Sequence, residues 1–125
     1  MRKAKASKGV VATARQLDKL IEEATVDCYN EEEQASGFFA MIEEHLALPF
    51  ATRVLGIEVS VVAVEMDNDG SLKAVCAHGR ERQRIGLTDL PSPSQPASGA
   101  EWIEAYQRWA RGQSDRHDEE QDGEE

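Results

Sequence analysis

This chain is short of cysteine, of basic charge, and of any long apolar run. Its two cysteines, Cys28 and Cys76, are too few for a disulfide framework. No stretch approaches the ~20 apolar residues of a membrane helix. The basic start, Met1-Arg2-Lys3-Ala4-Lys5, is not followed by the apolar ~7–15-residue core of a secretory signal. We therefore expect no membrane association and a bacterial-type cytoplasmic protein with reduced thiols. Lysine and arginine number 14 against 24 acids, a formal net charge of −10. Such a balance excludes most nucleic-acid binding, which needs a basic surface to meet phosphates. It suits a cation, a basic protein partner, or solubility alone. Catalytic signatures are missing as well. There is no Gly-x-Ser-x-Gly, no phosphate-cradling glycine loop and no Cys-x-x-Cys. An enzyme is not expected.

What the chain does have is uneven charge. Residues 1–15 carry five bases and no acid, residues 18–44 nine acids and one base, and residues 114–125 seven acids and one base. Short like-charged runs at a terminus are usually disordered. We expect a basic tail over 1–9, a single domain over 10–112, and an acidic tail over 113–125. At 125 residues the whole has room for one modest core.

Within that domain the hydrophobic period changes once. Leu17, Leu20, Ile21, Ala24 and Cys28 recur at helical spacing, predicting a helix over 11–24. A second helix is expected from Asn30, a good N-cap with Glu33 three residues on, as in a capping box. Its apolar face is Ala35, Phe38, Phe39, Ile42 and Leu46, and Pro49 stops it. From Ile57 the period falls to two. Ile57, Val59 and Val61 alternate, then Val62, Val64 and Met66 continue out of phase, which predicts a strand with a bulge near Val61-Val62. Asp67-Asn68-Asp69-Gly70-Ser71 is turn chemistry. Further strands over 72–77 and 83–87 flank a turn at His78-Gly79. A Pro- and Ser-rich loop over 91–98 leads into a closing helix over 99–112, where Trp102, Tyr106, Trp109 and Ala110 mark the buried stripe. The fold class is α+β: a helical N-terminal part, a small antiparallel barrel (SH3-like) or meander, and a closing C-terminal helix.

Two sites invite a metal and fail on spacing. Aligning Gly70 with the sixth position of an EF-hand puts Cys76 at the twelfth, where calcium needs a bidentate glutamate. Asp67-Asn68-Asp69-Gly70 thus reads as a hairpin turn, with a cation contact from Asp67 or Asp69 as the residual alternative. Cys28, His45, Cys76 and His78 lack the paired spacing of a zinc site. The dense acids lie elsewhere, at the joint between the first two helices: Asp27, Glu31, Glu32 and Glu33, with Glu43 and Glu44 further along. Two readings stand. Negative charge in a first helical turn matches the macrodipole at about 0.3–1 kcal/mol per residue and needs no ligand. Alternatively, Asp27 with one or two of the neighbouring glutamates and backbone carbonyls holds a hard cation. Consecutive helical residues point about 100° apart, so Glu31, Glu32 and Glu33 cannot all ligate one ion. Glu43 and Glu44 lie ~15 Å further along and would serve a second site.

The sequence resembles the calcium-binding family typified by the cyanobacterial protein CcbP. The resemblance is carried by Val26-Asp27-Cys28-Tyr29, Glu32-Glu33, Gly37-Phe38-Phe39, Ile42-Glu43, Leu48-Pro49-Phe50-Ala51, 59–64, Gly79-Arg80, and Ile103-Glu104 with Tyr106 and Trp109. It implies a small α+β protein that takes Ca2+ through acidic residues without an EF-hand, as a calcium buffer or signalling protein. Asp27, Glu33 and Glu43 match acidic places of the pattern, and Glu31, Glu32 and Glu44 stand beside them. Phe38-Phe39-Ala40 replaces a more aromatic run, and Ala105 stands where the pattern has an acid. The expectation is a monomeric, non-catalytic calcium buffer or sensor. Its alternative is an acidic module for a basic protein partner, with no specific metal.

Overall fold

A computed structural model describes the backbone of residues 12–124 and the side chains through residue 112. The expected basic tail over 1–9 lies outside the described residues. Helix α1 (Ala14–Thr25) starts later than the apolar spacing suggests, because Thr13 fixes its first turn. The Thr13 hydroxyl accepts from the Gln16 amide at 3.1 Å, and the Gln16 side chain accepts from the Thr13 amide at 2.8 Å. This reciprocal box satisfies two amides that no helical carbonyl can reach. Helix α2 (Glu31–His45) begins at the expected cap: Asn30 Oδ1 accepts from the Glu33 amide at 2.8 Å. The return bond differs. Glu33 Oε1 accepts from the amide of Tyr29 at 2.7 Å, one residue before the cap.

α1 and α2 pack unusually close at one point. A methyl group on Gly37 would lie 2.0 Å from the carbonyl oxygen of Ala24. No side chain fits there, and the contact brings the last turn of α1 against the first half of α2.

Four strands follow: β1 (Phe50–Val54), β2 (Ile57–Met66), β3 (Leu72–His78) and β4 (Glu81–Gly86). They pair antiparallel in the order β1-β2-β3-β4, a meander with β1 and β4 as its edges. The expected phase change in β2 is a register shift between Val61 and Ala63. Strand β1 is an addition to the sequence reading. Its five residues directly follow the helix-stopping proline and read as a connection. Phe50 and Thr52 nevertheless alternate inward, and Thr52 is the one buried polar residue among the described residues. Its hydroxyl donates to the Ser92 carbonyl at 2.7 Å, which anchors loop 91–98 against β1. The Ser94 amide donates to the Ala51 carbonyl at 2.8 Å alongside it. The second hairpin turn falls one residue later than expected, with Gly79 at φ 61° after His78 closes β3.

A 3-10 turn (Leu87–Asp89) leads through the loop to α3 (Ala100–Glu124). α3 closes the core as expected. Phe38, fully buried, meets Tyr106 edge-on at 5.7 Å and Trp109 at 5.3 Å. Trp109 Nε1 donates to Gln34 at 2.8 Å, and Gln107 Nε2 donates to the carbonyls of Leu87 and Leu90. The expected helix end at Gly112 is corrected, because the backbone stays helical to Glu124. Gly112 is not among the residues with positive φ, so it makes no left-handed cap. The Glu, Gln and Arg residues beyond it propagate a helix readily. Among the described residues, no helix is long and apolar enough to cross a membrane.

Candidate metal site

The joint between α1 and α2 is a tight turn. Asp27 sits at φ 62°, a left-handed conformation that aspartate tolerates better than most residues. The Cys28 thiol points back and donates to the Glu33 carbonyl at 3.4 Å. Glu33, its carboxylate engaged by the Tyr29 amide, serves the helix start. Val26 and Tyr29 stand 64% and 88% exposed on either side, so the joint is open to solvent.

Glu31 and Glu32 face elsewhere. They line one wall of a cleft of about 240 Å³ whose other wall is the β2–β3 turn, at Asp69, Gly70 and Ser71. Tyr106 and Trp109 form part of its floor. A methyl group built on Gly70 would lie 3.8 Å from Glu32 Cγ, which measures how near the turn comes to α2. Gly70 at φ 86° supplies the conformation that closes the turn. Asp69 stiffens it: Oδ1 accepts from the Ser71 amide at 3.0 Å and from the Ser71 hydroxyl at 2.7 Å. The Ser71 amide and then its hydroxyl hold the Asp69 carboxyl below the usual carboxylate range. Asp69 is thus ionised near neutral pH, with one carboxylate oxygen held by its own loop. Burial pushes the Tyr106 hydroxyl upward, so the floor of the cleft stays neutral.

Asp67, two residues away, is spoken for. Arg84 Nη2 bonds its Oδ1, Lys73 lies 3.1 Å from its Oδ2, and the same Arg84 bonds Glu65 at 3.1 Å. The Arg84 hydrogen bond first, then that of Lys73, hold its carboxyl below the usual range. A carboxylate shared by two cations has little to offer a third.

Glu43 and Glu44 are exposed at the far end of α2, where His45 stacks on Trp102 at 5.4 Å. They do not join Asp27 or Glu31–33. Cys76 is buried in β3, its thiol pushed up by desolvation, and His78 Nδ1 lies 3.3 Å from the Glu58 carbonyl. Among the described residues, no three or more His, Cys, Asp or Glu side chains stand together closely enough to hold a metal ion. The six acids named from the sequence therefore separate into Glu31 and Glu32 at the cleft, Glu33 at the cap, Asp27 in the turn, and Glu43 and Glu44 apart.

The donor chemistry still fits a hard cation. The cleft offers carboxylate and backbone oxygen, and no sulfur or imidazole. The sequence leaves Asp69 as a turn residue with a cation contact only as the residual alternative. Its contact with α2 spans more than thirty residues of chain and leaves no local signal. Ala105, standing where an acid was expected, is fully buried in the core, so a carboxylate there would have to be desolvated.

Two solved structures share this fold. One is the crystal structure of Anabaena CcbP, at TM-score 0.63 and 20% identity, covering 80% of this chain and 93% of that one. The other is a calcium binding protein in the calcium-binding form, at TM-score 0.61 and 22% identity, covering 78% and 92%. No curated protein matches. A family profile described as "Calcium binding", that of CcbP, matches residues 18–110. That span takes in most of α1, all of α2, the whole sheet and the core-closing part of α3, and on it the chain belongs to the CcbP-type calcium-binding family.

Proposed function

We propose that this protein is a non-catalytic calcium buffer whose ion site is the cleft between the start of α2 and the β2–β3 turn. Glu31 and Glu32 supply carboxylates from the helix, and Asp69 supplies a third from the turn. The carbonyls of the turn complete an all-oxygen set. Asp27 lies outside the cleft, Glu33 stays with its cap, and Glu43 and Glu44 form a separate, weaker acidic pair.

The observation that supports this reading is the placement of Asp69-Gly70-Ser71 across the cleft from Glu31 and Glu32. These acids are exposed, so gathering them costs side-chain freedom and little burial. Calcium accepts six to eight oxygens in flexible geometry, whereas magnesium demands a near-ideal octahedron and gives up its waters reluctantly. A shallow, adaptable set on this cleft favours calcium. The floor supports the reading as a buffer. Tyr106 and Trp109 belong to the packed core around Phe38, and drawing exposed carboxylates together need not repack it.

The test is a calcium titration followed by amide chemical shifts, at about 0.15 M salt with excess magnesium. Surface steering is screened over the ~8 Å Debye length, while a built site persists. Saturable shifts confined to residues 27–36 and 67–72, reversed by chelator, support the assignment. The double variant Glu31→Gln/Glu32→Gln and the single variant Asp69→Asn should each weaken binding at least tenfold, and Glu43→Gln/Glu44→Gln should leave it unchanged. The reverse pattern moves the site to the far end of α2. Flat shifts in the natural chain refute calcium binding here and leave an acidic docking module. Shifts that spread through the core would make the protein a sensor.

A further inference from the structure

A larger cleft lies apart from the one at Glu31, Glu32 and Asp69. It measures about 650 Å³ and runs between α1, loop 91–98 and the first turn of α3. Leu20, Pro96 and Ala97 give it an apolar bed, and Glu23, Glu101 and Glu104 give it carboxylates, against one cation, Lys19. Glu101 and Glu104 lie on a different face of α3 from Tyr106 and Trp109, so the two clefts do not merge. Among the described residues no ion pair takes up Glu23, Glu101 or Glu104. Burial, and then the charge of Glu101, push the Glu104 carboxyl above its usual range, against the bond it accepts from Ala12. A cation brought into this groove would relieve that.

The chain carries such cations just before Ala12 in its sequence. Ala12 is one of the lining residues, and its amide donates to Glu104 Oε1 at 3.3 Å. The eleven residues before it contain Arg2, Lys3, Lys5 and Lys8, no acid, and the apolar pair Val10-Val11. We propose that this N-terminal segment, residues 1–11, docks in the acidic groove between α1 and α3 of its own chain. Its length suffices. Eleven residues reach at most ~40 Å extended, about twice the ~18 Å length of a 12-residue helix such as α1. Its composition matches the groove: bases for the three carboxylates, and Val10-Val11 for the apolar bed beside Ala12. Single exposed ion pairs are weak. Tethering makes them sufficient, because a segment joined directly to the groove-lining Ala12 acts at an effective concentration on the order of millimolar. The same charge match rules out the acidic stretch over 113–125 as the occupant.

The experiment is zero-length carbodiimide cross-linking of the full chain in chelator, at about 20 mM and about 0.5 M salt, with the bonds mapped by mass spectrometry. The reagent activates the carboxylate, the lysine amine displaces it to form an amide, and the carbodiimide leaves as its urea carrying the elements of water, so a link records an ion pair. Lys3, Lys5 or Lys8 should link to Glu23, Glu101 or Glu104, and the yield should fall several-fold in high salt. An equal mixture of light and heavy chains should give links within one isotope only. Glu23→Gln/Glu101→Gln should cut the yield several-fold, while Glu43→Gln/Glu44→Gln should not. Links chiefly to acids of α2 or of 113–125 overturn the proposal. Mixed-isotope links also overturn it, and assign the groove to the segment of a second copy. As an independent readout, Lys3→Glu/Lys5→Glu/Lys8→Glu should shift the amides of Leu20, Ala97 and Ala100. Unmoved amides there mean the groove serves another basic partner. Because calcium is absent throughout, none of these results depends on the calcium reading.

Discussion

Gly37→Ala sets two forces against each other, and the geometry decides which wins. In a helix interior, alanine is better than glycine by about 0.5–1 kcal/mol, so local propensity alone forecasts a more stable protein. The structure forecasts the opposite. The new methyl would sit 2.0 Å from the Ala24 carbonyl oxygen and 3.7 Å from Cys28 Sγ. The oxygen belongs to backbone in the last turn of α1, so relief requires moving a whole helix end. Overpacking of this kind costs about 1–3 kcal/mol and at times more. We take its upper range and subtract the propensity gain, which leaves a net loss of about 2 kcal/mol. In a chain of this size that lowers Tm by about 6–10 °C. Urea unfolding with an unchanged slope would read it directly as a shift of midpoint. Ala40→Gly, at an exposed position of the same helix, isolates the propensity effect and should cost about 0.5–1 kcal/mol. A Gly37→Ala protein as stable as the natural one, or more so, would refute the close approach of α1 and α2.

Three further outcomes are expected. Phe38→Ala removes a fully buried ring that touches Tyr106 and Trp109, and should cost about 3–5 kcal/mol in urea unfolding, with a red-shifted tryptophan emission. Asn30→Ala strips the cap of α2 and should cost about 1 kcal/mol, with hydrogen exchange rising at the Glu33 amide before any core amide. Asp67 has its folded pKa depressed below its ordinary 3.8 by Arg84 and Lys73, so its contribution is fully present above that value and is lost as pH falls through the folded pKa. Asp67→Asn should therefore flatten the acid limb of the Tm–pH profile below about pH 4 and lower the plateau above it.

Some of this was legible in the chain and some was not, for physical reasons. The start of α2 could be read because Asn30 acts on an amide three residues away, within a window that local chemistry controls. The bulge in β2 could be read because a phase change in alternating valines has no other economical explanation. Strand β1 could not, since five residues give barely two inward positions and Thr52 looks polar until its bond to Ser92 is seen. The end of α3 was misplaced because a glycine stops a helix by turning left-handed, which its identity alone does not reveal. Asp27 was grouped with one or two of the neighbouring glutamates because the chain alone does not show which way each carboxylate turns. Glu33 turned back to Tyr29, whereas Glu31 and Glu32 turned toward a loop more than thirty residues away.

The anchoring of loop 91–98 has a consequence for the protein's behaviour in a crowded solution. A four-stranded meander has two open edges, and an unpaired edge is a template on which another chain can add a strand. Here β1 is covered along part of its length. Thr52 bridges to Pro93, and the Ser94 amide occupies the Ala51 carbonyl, so a proline-bearing loop lies where an incoming strand would bind. The other edge, β4, presents Glu81, Arg82, Gln83 and Arg84, all exposed. Charged side chains on an edge strand resist a neighbour of the same sequence. One edge is thus blocked by its own loop and the other guarded by charge, which lets so small a sheet stay open without seeding aggregation.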